Sequence, residues 1–170
     1  QKAKSRGLPQ IGSLGAGNHF LEVQRVDAIY DPDTARRMGV ERIGQIVIMI
    51  HTGSRGLGYQ VCQDQVSGLE SMYRKDGNMF RSDRFGISIP DRQLVAAPLG
   101  SKEADSYIGA MRSAANYAWA NRQCLMHLAR GVFEKVFGMP PKDLGMDLIY
   151  DVAHNIAKLE KYNIDGKEKT

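Results

Sequence analysis

Cysteine is scarce in this sequence: there are two, Cys62 and Cys124, and no Cys-x-x-Cys pair. That excludes a disulfide framework and points to a reducing compartment, the cytoplasm. Long apolar runs are missing, so no stretch is fit to span a bilayer and no membrane partner is expected. No basic start leads into an apolar stretch and a small-residue cleavage site, so no secretory signal is expected. Charge is not strongly one-sided. A net charge of +4 and a pI near 9.1 suit a phosphate-rich partner without requiring one. Internal repeats, low-complexity tracts and linkers are absent, which leaves one domain with a real core as the expectation. Two phosphate-binding patterns also fail. No Walker A sequence occurs, and Gly15-Ala16-Gly17 precedes an apparent strand, the reverse of a dinucleotide-binding fingerprint. The sequence opens on Gln1 rather than Met and closes on Lys167-Glu168-Lys169-Thr170 without a terminating element, so a piece of a longer protein is expected.

What is present is organised around His51-Thr52-Gly53-Ser54-Arg55-Gly56-Leu57-Gly58. The apolar, β-branched run Ile46–Ile50 precedes it and reads as a buried strand. That strand delivers a histidine to its carboxyl end. The loop that follows offers an arginine and small residues whose backbone N–H groups can approach an anion.

Residues 1–10 are basic and polar and read as extended. Gly12 to His19 is a glycine-rich loop, and Phe20–Val26 a strand with Leu21 and Val23 on one face. Asp33–Met38 suits one or two helical turns ended by Gly39. From Leu57 to Arg74 apolar residues recur at three- and four-residue steps, an amphipathic helix. Lys75–Arg92 reads as an irregular connection carrying Arg81, Arg84 and Arg92. Glu103–Phe137 is the longest periodic stretch, with Ser101 as N-cap and Gly138 as its end, and a break is expected near Ser113–Asn116 or Gly131. Leu148–Ala153 reads as a further strand ending at His154, and Asp165-Gly166 as a hairpin turn. Together these give an α+β fold: mixed sheets, a long helix or helix pair, and histidines at strand ends.

Three of the four histidines share a setting. His19 leaves a glycine loop and enters a strand; His51 and His154 each end one. Imidazoles held at strand ends are placed to converge on a metal ion. Asn18 and Asn155 adjoin two of them and have amides able to hold phosphate oxygens. One such histidine alone is more simply a half-buried structural residue. Three in the same setting favour a site. His127 reads as a helix-surface histidine, Tyr117, Trp119 and Phe133 as core, and both cysteines as buried small hydrophobes. The three arginines of the connection read as a solvated loop.

Four stretches, Leu14–Glu22, His51–Gly58, Asn116–Arg122 and Asp151–Lys158, resemble the RtcB-type RNA-splicing ligases in their order and across the whole chain. The resemblance is closest to the archaeal and eukaryotic style of that family. It implies the central part of a single catalytic domain, residues 1–170, lacking N-terminal and C-terminal portions. It also implies a GTP- and manganese-dependent ligase that joins RNA ends bearing a 2′,3′-cyclic phosphate or 3′-phosphate to 5′-hydroxyl ends, as in tRNA splicing and RNA repair. Two Mn2+ ions would stabilise charge on the transferring phosphoryl groups. Carried over by motif, His19, His51 and His154 resemble the metal ligands. Asn18 resembles a nucleotide-phosphate contact, Glu22 the guanine-binding carboxylate, and Arg55 a clamp on phosphate or an RNA end. Asn155 is placed to support phosphates. Two family motifs are missing. Tyr59 precedes Cys62 and Asn121 precedes Cys124 where an Asp-x-x-Cys metal motif would need aspartate. The guanylylated histidine, in a later His-Gly-containing motif, has no counterpart, so no catalytic nucleophile is assigned and this chain alone is expected to be inactive. A metal-dependent phosphoesterase and a non-catalytic RNA-binding module are the alternatives.

Overall fold

The computed structural model describes residues 1–169. Its spine is helix α4 (Lys102–Phe137), 36 residues long. Ser101 caps its start, the hydroxyl accepting from the Ala104 N–H at 3.2 Å, with Glu103 and Asp105 in the first turn. It stops at Gly138, whose φ of +64° suits glycine and whose N–H bonds the Glu134 carbonyl at 2.9 Å. The expected break is not found. The Ser113 hydroxyl bonds back to the Gly109 carbonyl at 2.9 Å and so stays satisfied within an unbroken helix.

Strands β1 (Phe20–Arg25) and β2 (Ile46–His51) form an antiparallel pair in which Phe20 faces His51 and Arg25 faces Ile46. Between them lies the short α2 (Pro32–Arg37), capped by Asp31, whose carboxylate accepts from Thr34. The expectation that β2 is buried is corrected: in a two-stranded sheet Ile46 stays 56% and Met49 42% exposed. After β2 the chain turns straight into α3 (Arg55–Glu70), which packs against α4.

Three further expectations are corrected. Residues 1–10 are helical rather than extended: α1 (Lys2–Gly7) leads into a 3-10 turn at Leu8–Gln10. Its residues show no apolar periodicity. The helix is fixed instead by packing on α3, where Gly7 lets the backbones approach so closely that a Cβ there would lie 2.9 Å from the Leu57 Cβ. The arginine-bearing connection is a three-stranded antiparallel meander, β3 (Arg74–Asp76), β4 (Met79–Ser82) and β5 (Ile87–Ile89). Conversely, 148–153 is not a strand. No described strand lies beside it to take its backbone hydrogen bonds, and Leu148, Tyr150 and Val152 are exposed. The hairpin expected at Asp165-Gly166 is present, β6 (Tyr162–Ile164) pairing with β7 (Lys167–Lys169). Both turn residues have positive φ, as a two-residue turn of this kind requires.

The fold is therefore α+β, but its core is small. Leu69, Ile89, Ala104 and Leu125 are the buried apolar side chains among the described residues. The accessible surface is 12332 Å2. A compact monomer of this mass exposes roughly 8,300 Å2.

Candidate metal and phosphate site

The β1–β2 register decides where the first two histidines meet. Because Phe20 pairs with His51, His19 stands one residue before β1 at the same end of the sheet. The His19 and His51 rings lie edge-on with centroids 6.2 Å apart, and Phe20 packs edge-on against His51 at 5.1 Å. His154 arrives from the irregular segment that follows 148–153. Its ring centroid is 5.3 Å from that of His51, and the two Nε2 atoms are 3.1 Å apart. Three histidines separated in sequence thus share one cavity of about 600 Å3.

Two imidazole nitrogens on one ion, with bonds of about 2.0–2.1 Å, lie a little over 3 Å apart. The His51–His154 spacing fits such a ligand pair. His19 stands at the rim, engaged elsewhere: the Arg55 guanidinium lies 3.4 Å from its Nδ1. Among the described residues no group of three His, Cys, Asp or Glu side chains is assembled at metal-holding distances. The arrangement is a pair of facing imidazoles with a third beside it. His19 also has its pKa pushed below the usual histidine value, first by burial, then by the nearby Arg55 charge and His51. A depressed pKa keeps the ring neutral, the form that can ligate.

Arg55 is held in an unusual way. It opens α3 with a φ of +51°, a strained conformation for a non-glycine residue. Its Nε donates to the Ser13 hydroxyl at 3.2 Å. Gly15, at φ +112°, makes room for it: a Cβ there would lie 2.0 Å from the Arg55 guanidinium and 2.5 Å from His19 Nδ1. The guanidinium and the first turn of α3 share the cavity with the histidines, a setting suited to an anion. Asn18 and Asn155 also line the cavity. Glu22 does not. It is exposed on β1 opposite Met49, and its carboxylate accepts from the Gln24 amide at 2.7 Å.

The family model described as tRNA-splicing ligase RtcB matches residues 1–170. The chain belongs to the RtcB family. It is 51% identical over 168 residues to the tRNA-splicing ligase RtcB of Archaeoglobus fulgidus, covering 99% of this chain and 33% of that protein. Against the Methanococcus maripaludis tRNA-splicing ligase RtcB it is 54% identical, over 96% of this chain and 32% of that protein. The Pyrococcus abyssi RtcB is 52% identical over 99% of this chain, which is 17% of its own length. The chain spans a third or less of these relatives.

Several RtcB-chain residues that assemble the cavity escaped sequence reasoning. Asn121, in the middle of α4, is fully buried. Its Oδ1 accepts from the Gly12 and Ser13 N–H groups at 2.7 and 3.1 Å. Its Nδ2 donates to the Ser13 and Gly53 carbonyls at 3.0 and 3.2 Å. One side chain thus joins the glycine loop before His19 to the loop after His51. Thr52, also buried, adds a hydroxyl bond to the Leu14 carbonyl at 2.6 Å. Arg122, the next residue of α4, donates from Nη1 to the Thr52 carbonyl at 3.2 Å and from Nε to the Asp151 carboxylate at 2.6 Å. The available signal was positional. Asn121 falls between Ala118 and Leu125 on the helix stripe that should face the core, and a polar residue there needs partners.

Other sequence candidates stand apart from the cavity. Arg81, Arg84 and Arg92 are each engaged by a carboxylate, of Asp83, Glu103 and Glu70 respectively. His127 is exposed on α4. Tyr117, Trp119 and Phe133 are half-buried, and the Tyr117 hydroxyl donates to the Gly7 carbonyl at 2.6 Å. Cys124 is half-buried, but Cys62 is exposed, which corrects the expectation of a buried thiol. No helix among the described residues is long and apolar enough to cross a membrane.

Proposed function

We propose that this chain is the central part of a single RtcB-type catalytic domain and supplies the histidine and phosphate-binding share of an RNA-joining site. The observation that supports this reading is the gathering of His19, His51, His154 and Arg55 on one cavity in a chain of the RtcB family. His51 and His154 would hold Mn2+ through the facing Nε2 atoms, and His19 would join them once its ring turns from Arg55. A bound divalent ion there would neutralise phosphate charge and polarise the phosphoryl group.

The remaining chemistry belongs to the chain's own side chains. Arg55, fixed from below by Ser13, would present its guanidinium fork to a phosphate or an RNA end. The Asn18 and Asn155 amides would donate to phosphate oxygens at the cavity's edge. Glu22 would accept from the N1–H and N2–H groups of guanine, GTP being the nucleotide. Its current partner is the half-buried Gln24, and Glu22 itself is exposed. The RNA ends joined would be a 3′-phosphate or 2′,3′-cyclic phosphate and a 5′-hydroxyl. The nucleophilic histidine and the bridging thiolate would come from outside this sequence.

A chimera tests this directly. Residues of the Archaeoglobus fulgidus protein matching this chain are replaced by it, and RNA joining is assayed with GTP and Mn2+. The chimera joins ends, and His51→Ala and His154→Ala abolish joining. Glu22→Ala raises the GTP requirement. Joining that survives both histidine substitutions overturns the reading, as does Mn2+-dependent phosphate release that ignores GTP.

A further inference from the structure

The His154 segment carries no regular structure and no strand partner, yet its imidazole is held 3.1 Å from His51. Something must hold it there, and the cavity offers one strong candidate. Arg122 reaches in two directions from the rigid α4: to the carbonyl of Thr52, one residue after His51, and to the carboxylate of Asp151, three residues before His154. The side chains of Arg122 and Asp151 are 12% and 25% exposed, so the guanidinium is mostly covered while the carboxylate keeps an edge toward water. The third guanidinium nitrogen, Nη2, is buried without a partner. Among the described residues Asp151 is the carboxylate that pairs with this guanidinium, and losing it leaves a mostly buried positive charge without its counter-ion. Exposed ion pairs elsewhere in the chain, such as Arg36 with Asp33, lack that constraint.

We propose that Arg122 is a positioning residue for the histidine pair: through Asp151 and the Thr52 carbonyl it fixes the His154 segment against the end of β2. The expected effect on metal binding rests on the functional reading above, whereas the effect on the two rings does not. No hydrogen bond among the described residues joins Arg122 to either ring. It acts through the backbone on either side of the pair, and its fork geometry, two donors aimed about a rigid plane, is what lysine lacks. Neighbouring Asn121 fastens the His19 and His51 loops in the same way, so two consecutive residues of α4 tie down all three histidine-bearing segments.

The test compares Arg122→Gln, Arg122→Lys, Asp151→Asn and, as a control of equal charge change, Lys135→Gln. The first readout is metal-free: the NOE between the His51 and His154 ring protons. The second is Mn2+ affinity from the free-ion EPR signal. In Arg122→Gln and Asp151→Asn the ring contact disappears while the His19–His51 contact remains. Mn2+ affinity then falls about tenfold or more, in the range typical of residues that orient metal ligands. The double variant is no worse than either single one, and Arg122→Lys is intermediate. Circular dichroism reports folding; where Arg122→Gln fails to fold, Asp151→Asn, which alters a group at the protein's edge, carries the test. An intact His51–His154 contact in folded Asp151→Asn overturns the proposal, as does an equal loss in Lys135→Gln. Wild-type protein that shows the ring contact but binds no Mn2+ overturns the functional reading and leaves the positioning role standing.

Discussion

Asn121 shows how much one amide can fix. Its four close hydrogen bonds use both lone pairs of the oxygen and both N–H groups of the nitrogen, so no polar capacity is left over. Asn121→Ala strands two backbone N–H groups, each a cost of about 1–3 kcal/mol if it stays buried. Asn121→Asp keeps the size but sets a second oxygen against the Ser13 and Gly53 carbonyls. Urea unfolding is expected to show both variants destabilised, Asn121→Asp at least as strongly as alanine; a midpoint unchanged in either removes Asn121 from the scaffold. His19 gives a pH signature at the same scale. Its folded pKa lies below the ordinary 6.5 because burial, then Arg55 and His51, disfavour the charged ring. The folded state then binds fewer protons than the unfolded chain. This group's contribution to stability is full above the unfolded pKa and is lost as pH falls toward the folded one. An NMR titration is expected to place the His19 midpoint below that of an unfolded-peptide histidine, and Arg55→Gln to raise it part of the way back. A His19 midpoint above the peptide value contradicts this account of the rim.

At the scale of elements, the parts set by local rules were readable and the parts set by contact were not. The start and end of α4 follow from Ser101 and Gly138, whose chemistry is written at the residues themselves. Ser101→Ala is accordingly expected to cost about 1 kcal/mol of stability in thermal melts, and a loss near zero would show that packing alone fixes the helix start. Strands β1 and β2 were legible from apolar runs flanked by glycine loops. The meander β3–β5 was not, since its strands are three or four residues long and β3 has no half-buried position to alternate. Arg74 and Arg81 even face each other across it, a like-charge pair tolerated because Asp83 bridges both. Residues 148–153 mislead in the other direction. Apolar content signals a wish for burial, and a strand needs in addition a neighbour to bond. Helix α1 exists because Gly7 fits against Leu57 and because the Gly7 carbonyl accepts from Tyr117, neither of which a linear reading displays. The candidate site divides the same way. The histidines and Arg55 stood out by type and place, whereas Asn121 and Arg122 acquire meaning only when Gly12, Thr52 and Asp151 are brought to them.

The whole molecule is a scaffold with a small core and much exposed apolar side chain. Ile46, Val132, Val136, Phe137 and Val152 are among the large hydrophobics more than half exposed. In the reading proposed here the flanking portions of an RtcB-type domain would cover such surface, and the cavity would open where they meet. What the chain itself contributes is geometry: the end of a two-stranded sheet, a glycine loop and an irregular segment, all fastened to one helix so that three imidazoles approach one another. That claim is open to a single measurement. Histidine ring signals of the protein are followed as Mn2+ is added in substoichiometric steps, with His127, exposed on α4 and outside the cavity lining, as the internal reference. The account predicts that His19, His51 and His154 broaden together at lower Mn2+ than His127 does. Broadening confined to one of the three, or shared equally with His127, contradicts it.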